Sequence, residues 1–155
     1  MARILLVDDD PDQLEVRRML FQQAGHEVYT AVEAGTALEV LDRAAPQLVV
    51  TDLRLPKVED GLALIRAMRQ RATAVRIVVL SGWTSDLEQL PEAALVDAII
   101  GKPARTNRLL ALAAKLTVWM FAALLCMAWS ASAAEMVADP EITCGRLDRV
   151  ELPVR

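Results

Sequence analysis

Five side chains in this 155-residue sequence have the chemistry to handle a charged oxygen ligand: Asp8, Asp9, Asp52, Ser81 and Lys102. Carboxylates hold hard divalent cations, a hydroxyl donates a hydrogen bond, and an ammonium neutralises an anion. Each follows an apolar run: Ile4-Leu5-Leu6-Val7 before Asp8-Asp9, Leu48-Val49-Val50-Thr51 before Asp52, Ile77-Val78-Val79-Leu80 before Ser81, and Ala98-Ile99-Ile100-Gly101 before Lys102. Such runs read as strands buried on both faces of a parallel sheet, and open α/β sheets place their chemistry at the carboxyl ends of strands. Carboxylates about 4 Å apart repel by roughly 4 kcal/mol at an effective dielectric near 20. A cluster of them must keep a proton, raise its pKa values or bind a cation. Magnesium suits such a site, because it takes one or two carboxylates, waters and phosphate oxygens.

The segments between the strands must bring these ends together. Pro11 to about Gln23 reads as a helix, with Asp10 as its N-cap, Leu14, Met19 and Leu20 inward, and a stop near Gly25. His26 to Ala31 is a second strand, and its lone histidine is given no role. Gly35 to Ala45 is helical, with Ala37, Leu38 and Leu41 at helical spacing, and Pro46 ends it. Pro56 closes the third strand, Lys57 to Gly61 reads as a loop, and Leu62, Leu64, Ile65 and Met68 mark the next helix. Asp86 to Leu95 is expected as a short helix broken at Pro91. Five βα units predict a doubly wound five-stranded parallel sheet in the order 2-1-3-4-5, flanked by helices, with strands 1 and 3 adjacent at the switch point.

Composition narrows the function classes. A net charge of −4 and the lack of any Lys/Arg run argue against a nucleic-acid surface. Met1-Ala2-Arg3 enters the first apolar run at once, so no targeting peptide is expected before the domain. Cys126 and Cys144 have neither metal-ligand spacing nor the density of a disulfide framework.

Val-Asp-Asp, Thr-Asp-Leu-Arg-Leu-Pro, Leu-Ser-Gly and Gly-Lys-Pro follow strands one, three, four and five. In that order and at those separations they resemble the receiver domains of two-component response regulators, the CheY-like superfamily, over residues 1–116. The resemblance implies that Asp52 is the phosphoacceptor and takes a phosphoryl group from a histidine kinase or phosphotransfer protein. It implies Asp9 as a direct Mg2+ ligand, Asp8 acting through water, and the backbone carbonyl of Arg54 completing the metal site. Lys102 would pair with phosphoryl oxygens, Ser81 would move to bond one of them, and Lys102-Pro103 would be cis. The chain then signals by phosphorylation-dependent binding of a downstream protein, with no output domain of its own and no enzymatic turnover beyond self-catalysed transfer and dephosphorylation. A Mg2+-dependent aspartate-nucleophile phosphatase is the alternative, but the second acid such enzymes carry two residues after the nucleophile is replaced here by Arg54. A phosphorylation-independent binding module is the other alternative, and the intact acidic set speaks against it.

The sequence departs from the family pattern in three places. Ile99 stands where an aromatic switch residue is common, Ala104 stands where a bulky residue often follows Lys-Pro, and the loop between Pro56 and Gly61 is one residue longer than the common pattern. Trp83 would serve either as loop packing or as part of a partner surface.

Leu109 to Leu116 continues as a last receiver helix, with Leu109, Leu112 and Leu116 inward and Arg105, Arg108 and Lys115 outward. Residues 116–134 carry no charge. As a helix they would extend about 28 Å, close to the roughly 30 Å of a bilayer core. Three readings fit: a membrane span anchoring a cytoplasmic receiver, an internal signal-like segment in a fused chain, or a dimerisation or back-folded helix. Residues 135–155 are expected as an irregular tail.

Overall fold

The computed structural model describes residues 1–82 and 87–116. Trp83, the apolar stretch 117–134 and the tail 135–155, including both cysteines, lie outside the described residues. Among the described residues, no helix is long and apolar enough to cross a membrane.

Five parallel strands, β1 (Arg3–Val7), β2 (Glu27–Ala31), β3 (Leu48–Asp52), β4 (Arg76–Ser81) and β5 (Ala98–Gly101), form one sheet in the order β2-β1-β3-β4-β5. This is the doubly wound order that the sequence predicts. Side chains alternate across a strand, so each strand feeds two cores. Leu5, Val7, Val49, Ile77 and Val79 face helices α2 (Ala34–Ala44) and α3 (Val58–Arg71). Ile4, Leu6, Leu48, Val50, Val78, Leu80 and Ile100 face Leu14 and Phe21 of α1 (Pro11–Gln23). Leu109 and Ala113 of a last helix, α4, join that second core, and α4 is described over residues 106–116. Ile99 is partly buried against the first core.

Two local readings change, and a third is seen in part. Residues 58–61 are the first turn of α3 rather than loop. Asp60 accepts a hydrogen bond from the Lys57 N–H at 3.3 Å, and Glu59 and Asp60 place negative charge at the helix start. Met19 is 46% exposed, and Phe21, two residues on, is the large buried side chain of α1. Of the broken helix expected over Asp86 to Leu95, residues 87–88 are helical and Pro91–Leu95 form a 3-10 turn that Pro91 starts, while Asp86 lies outside the described residues. Glu92 in that turn is buried and pairs with Arg66 of α3 at 2.5 Å.

At the sheet edge away from the acidic residues, Asp97 ties three elements together. Its carboxylate accepts from Arg69 of α3 at 2.7 Å, from Arg76 of β4 at 2.7 Å and from the Ile77 N–H at 2.8 Å. Arg69 also donates to the carbonyls of Leu95 and Val75. This charge-assisted clasp fixes the N-terminal ends of β4 and β5 against α3.

Gly61 lets α3 approach the chain leaving β3, since a Cβ there would lie 1.9 Å from the Leu53 carbonyl oxygen. Gly61→Ala would gain up to about 1 kcal/mol of helix propensity. Forcing backbone apart costs more, so a net loss of about 1–3 kcal/mol in urea unfolding is expected. An unchanged midpoint would refute the close approach.

His26 packs edge-on against Phe21 with ring centroids 6.1 Å apart, and its buried Nδ1 has no hydrogen-bond partner among the described residues. Burial, with a smaller contribution from the N-terminal charge, pushes its pKa below the ordinary 6.5. The unfolded chain then binds the proton more readily, so this stability is full above 6.5 and falls as pH drops towards the folded value. His26→Asn should flatten that decline, measured by urea unfolding at a series of pH values; equal slopes would show that the ring does not cause it.

Candidate functional site

The acidic site is assembled by register. β1 and β3 pair Ile4 with Leu48 and Val7 with Thr51, so residues 8 and 52 leave the sheet side by side. Both share the parity of the strand residues that face α1 and α4. Asp10 caps α1, accepting from the backbone N–H groups of Asp12 and Gln13, and Pro11 starts the helix, so the chain turns immediately after Asp9. Asp8, Asp9 and Asp52 each bring a carboxylate oxygen within 4.8 Å of the others. Asp8 is buried, Asp52 is 8% exposed and Asp9 is open to solvent.

Lys102 reaches this cluster from the end of β5. Its Nζ lies 2.6 Å from Asp52 Oδ2 and 3.6 Å from Asp8 Oδ2. The Lys102 N–H donates to the Ser81 carbonyl at 2.8 Å, which fixes the lysine backbone to the end of β4. Lys102-Pro103 is cis, as is Leu55-Pro56. Ser81 is buried, and its register partner is Gly101, so hydroxyl and ammonium issue from neighbouring strand ends. Asp52, Arg54, Ser81 and Lys102 line one cavity of about 210 Å³, whose apolar wall includes Val58 and Leu87. The Arg54 side chain is exposed. The structure therefore brings Asp8, Asp9, Asp52, Arg54, Ser81 and Lys102 to one rim of the sheet.

A further participant escapes the sequence reading. Arg17 of α1 places Nη1 2.5 Å from Asp8 Oδ2, with only 14% of its side chain exposed. Its Nη2 donates to Gln13 Oε1 at 2.6 Å, and Gln13 Nε2 donates to Asp10 Oδ2 at 2.8 Å. Those Gln13 contacts, with the cap hydrogen bonds and the nearby Arg17 charge, hold the Asp10 carboxyl below its usual value. The signal was present in the spacing. Arg17 falls between Leu14 and Phe21, on the stripe of α1 that faces the sheet.

The donor set is all oxygen and mostly anionic, clustered at one point and partly open to water. That chemistry fits a hard divalent cation.

Comparison with known proteins agrees with this arrangement. The family model described as response regulator receiver domain matches residues 4–114. The virulence transcriptional regulatory protein PhoP of Salmonella typhimurium is 32% identical over 114 residues, 72% of this chain and 50% of PhoP. The Escherichia coli transcriptional regulatory protein PhoP is 33% identical over 112 residues, 70% of this chain and 49% of its own. The chain thus matches about half the length of these curated relatives. Among solved structures, Thermotoga maritima response regulator TrrA, in complex with Mg2+ and BeF, aligns with a TM-score of 0.68 at 27% identity. That alignment covers 75% of this chain and 99% of TrrA. The receiver domain of NtrX from Brucella abortus aligns with a TM-score of 0.66 at 30% identity, covering 73% of this chain and 96% of NtrX's. Through its matched motifs, strand order and carboxylate cluster, this chain belongs to the response regulator receiver domain family.

Proposed function

We propose that this domain is a phosphoacceptor switch in which Asp52 takes a phosphoryl group from a phosphohistidine on a histidine kinase or phosphotransfer protein. The observation that carries this reading is the convergence of Asp8, Asp9 and Asp52 within 4.8 Å, with Lys102 2.6 Å from Asp52. A carboxylate oxygen of Asp52 attacks phosphorus, the P–N bond breaks, and the leaving imidazole keeps the bonding electron pair. Phosphoryl transfer asks a protein mainly for positioning and for neutralisation of spreading charge. β3 aims Asp52 into the cavity, Lys102 supplies positive charge, and Ser81 supplies a donor for a phosphoryl oxygen. Asp9, Asp8 through water, Asp52 and the backbone carbonyl of Arg54 would hold Mg2+. When bound, that ion supplies a Lewis acid for the phosphoryl oxygens. The complex of TrrA with Mg2+ and BeF supports this assignment by analogy.

The acyl phosphate carries about −1.5 to −2 charge in place of the single negative charge of the Asp52 carboxylate, and it presents three acceptor oxygens. Bonding to Ser81 and Lys102 would then alter the surface around β4 and β5, and a downstream protein would read that change. With Ile99 partly buried in the first core, this readout would not run through an aromatic at position 99. Hydrolysis of the mixed anhydride resets the switch, so the unit acts as a signal carrier rather than as a phosphatase.

With Mg2+ and a small phosphodonor such as acetyl phosphate, the protein should gain one phosphoryl group by intact mass. Asp52→Asn and chelation should each abolish the gain, and undiminished labelling of that variant would overturn the assignment. Lys102→Ala should slow labelling about 10²-fold, the size typical for loss of one preorganised charge-stabilising group. A wild-type rate would remove Lys102 from the chemistry.

A further inference from the structure

We infer that Arg17 is a built-in counter-ion of the acidic site and sets its affinity for the divalent cation, an inference that rests on the reading of the pocket as a cation site. Asp8 is engaged on both oxygens: Oδ1 accepts from the Asp10 N–H at 3.0 Å, and Oδ2 from Arg17 at 2.5 Å, with Lys102 3.6 Å away. The three carboxylates bring three negative charges, and Arg17 and Lys102 return two, which leaves the cluster one net charge. Without Arg17 that charge would double, and the attraction for a divalent ion would rise with it.

Arg17 is built into this role rather than draped over it. Its Cα sits on the buried stripe of α1, and Gln13 one turn earlier holds the second guanidinium nitrogen at 2.6 Å. Asp10, which caps the same helix, holds Gln13 in turn at 2.8 Å. The guanidinium therefore reaches Asp8 from behind, on the α1 side, whereas Lys102 reaches it from β5. Lys102 is shared with Asp52, but Arg17 has no carboxylate partner other than Asp8 among the ion pairs of the described residues. Its charge is committed to the metal side of the pocket. Arg17 is thus a positioning residue: it orients Asp8 and offsets part of the charge that would draw in the cation. It stabilises the metal-free cluster and weakens its hold on the ion.

Calorimetric titration of MgCl2 into the full-length protein tests this, with Arg17→Gln removing the charge and Arg17→Lys keeping it. Arg17→Gln should bind Mg2+ about three- to tenfold more tightly at low ionic strength, the effect of one unit charge on a divalent ion across roughly 6–8 Å at near-water dielectric. Arg17→Lys should stay near wild type, and added salt should narrow the gap. Melting temperatures should show Mg2+ stabilising Arg17→Gln more than wild type, whereas a purely structural arginine would lower both states equally. If metal-free Arg17→Gln is unfolded, recovery of native circular dichroism on adding Mg2+ supports the inference, and failure to recover overturns it. Equal or weaker Mg2+ binding by folded Arg17→Gln also overturns it. Absence of Mg2+ binding by wild type would instead sink the cation-site reading, and this inference with it.

Discussion

Like charge held at close range is the constraint around which this domain is built. Three carboxylate oxygens within 4.8 Å of one another would repel by about 3–4 kcal/mol per pair at an effective dielectric near 20. The fold tolerates this only because cations arrive from two sides, Arg17 from α1 and Lys102 from β5. Everything that fixes those approaches, including the cap at Asp10, the register of β1 on β3 and the tie between Lys102 and Ser81, serves the same electrostatic end. A phosphoryl group and a divalent ion are further charges for which this balance leaves room.

Parity in the sheet converts that requirement into sequence. Successive residues of a strand point to opposite faces. Residues 4, 6, 48, 50, 78, 80 and 100 therefore face α1 and α4, and residues 5, 7, 49, 77 and 79 face α2 and α3. A slip of one residue in β1 would send Asp8 to the opposite face and detach it from both cations. Apolar content on both faces thus does more than stabilise the sheet; it holds the register that makes the site.

Much of this was legible in the chain because it rests on short-range pattern. Apolar runs ending in Asp52 or Lys102, Pro11 after Asp10, and the order of the βα units each constrain the fold locally, and together they specify which strand ends meet. What stayed hidden depends on contacts that no local pattern encodes. The spacing of Arg17 between Leu14 and Phe21 puts it on the inward stripe of α1, but its partner Asp8 emerges only once that helix is docked on the sheet. Glu92 resembles a surface acid until Arg66 of α3 is found beside it. Gly61 reads as a turn residue, and only the nearness of the Leu53 carbonyl shows that its role is to admit neighbouring backbone. Met19 was placed inward and Phe21 left out, because a helical stripe with few apolar residues can be phased in more than one way.

The Asp97 clasp has a mechanical corollary. Two arginines and a main-chain amide lock the entry of β4 to that of β5, while at the exit of the same strands the lysine is held by side-chain contacts with carboxylates and one main-chain bond to Ser81. The entries of β4 and β5 thus form a fixed frame for the acidic rim at the far end of the same strands.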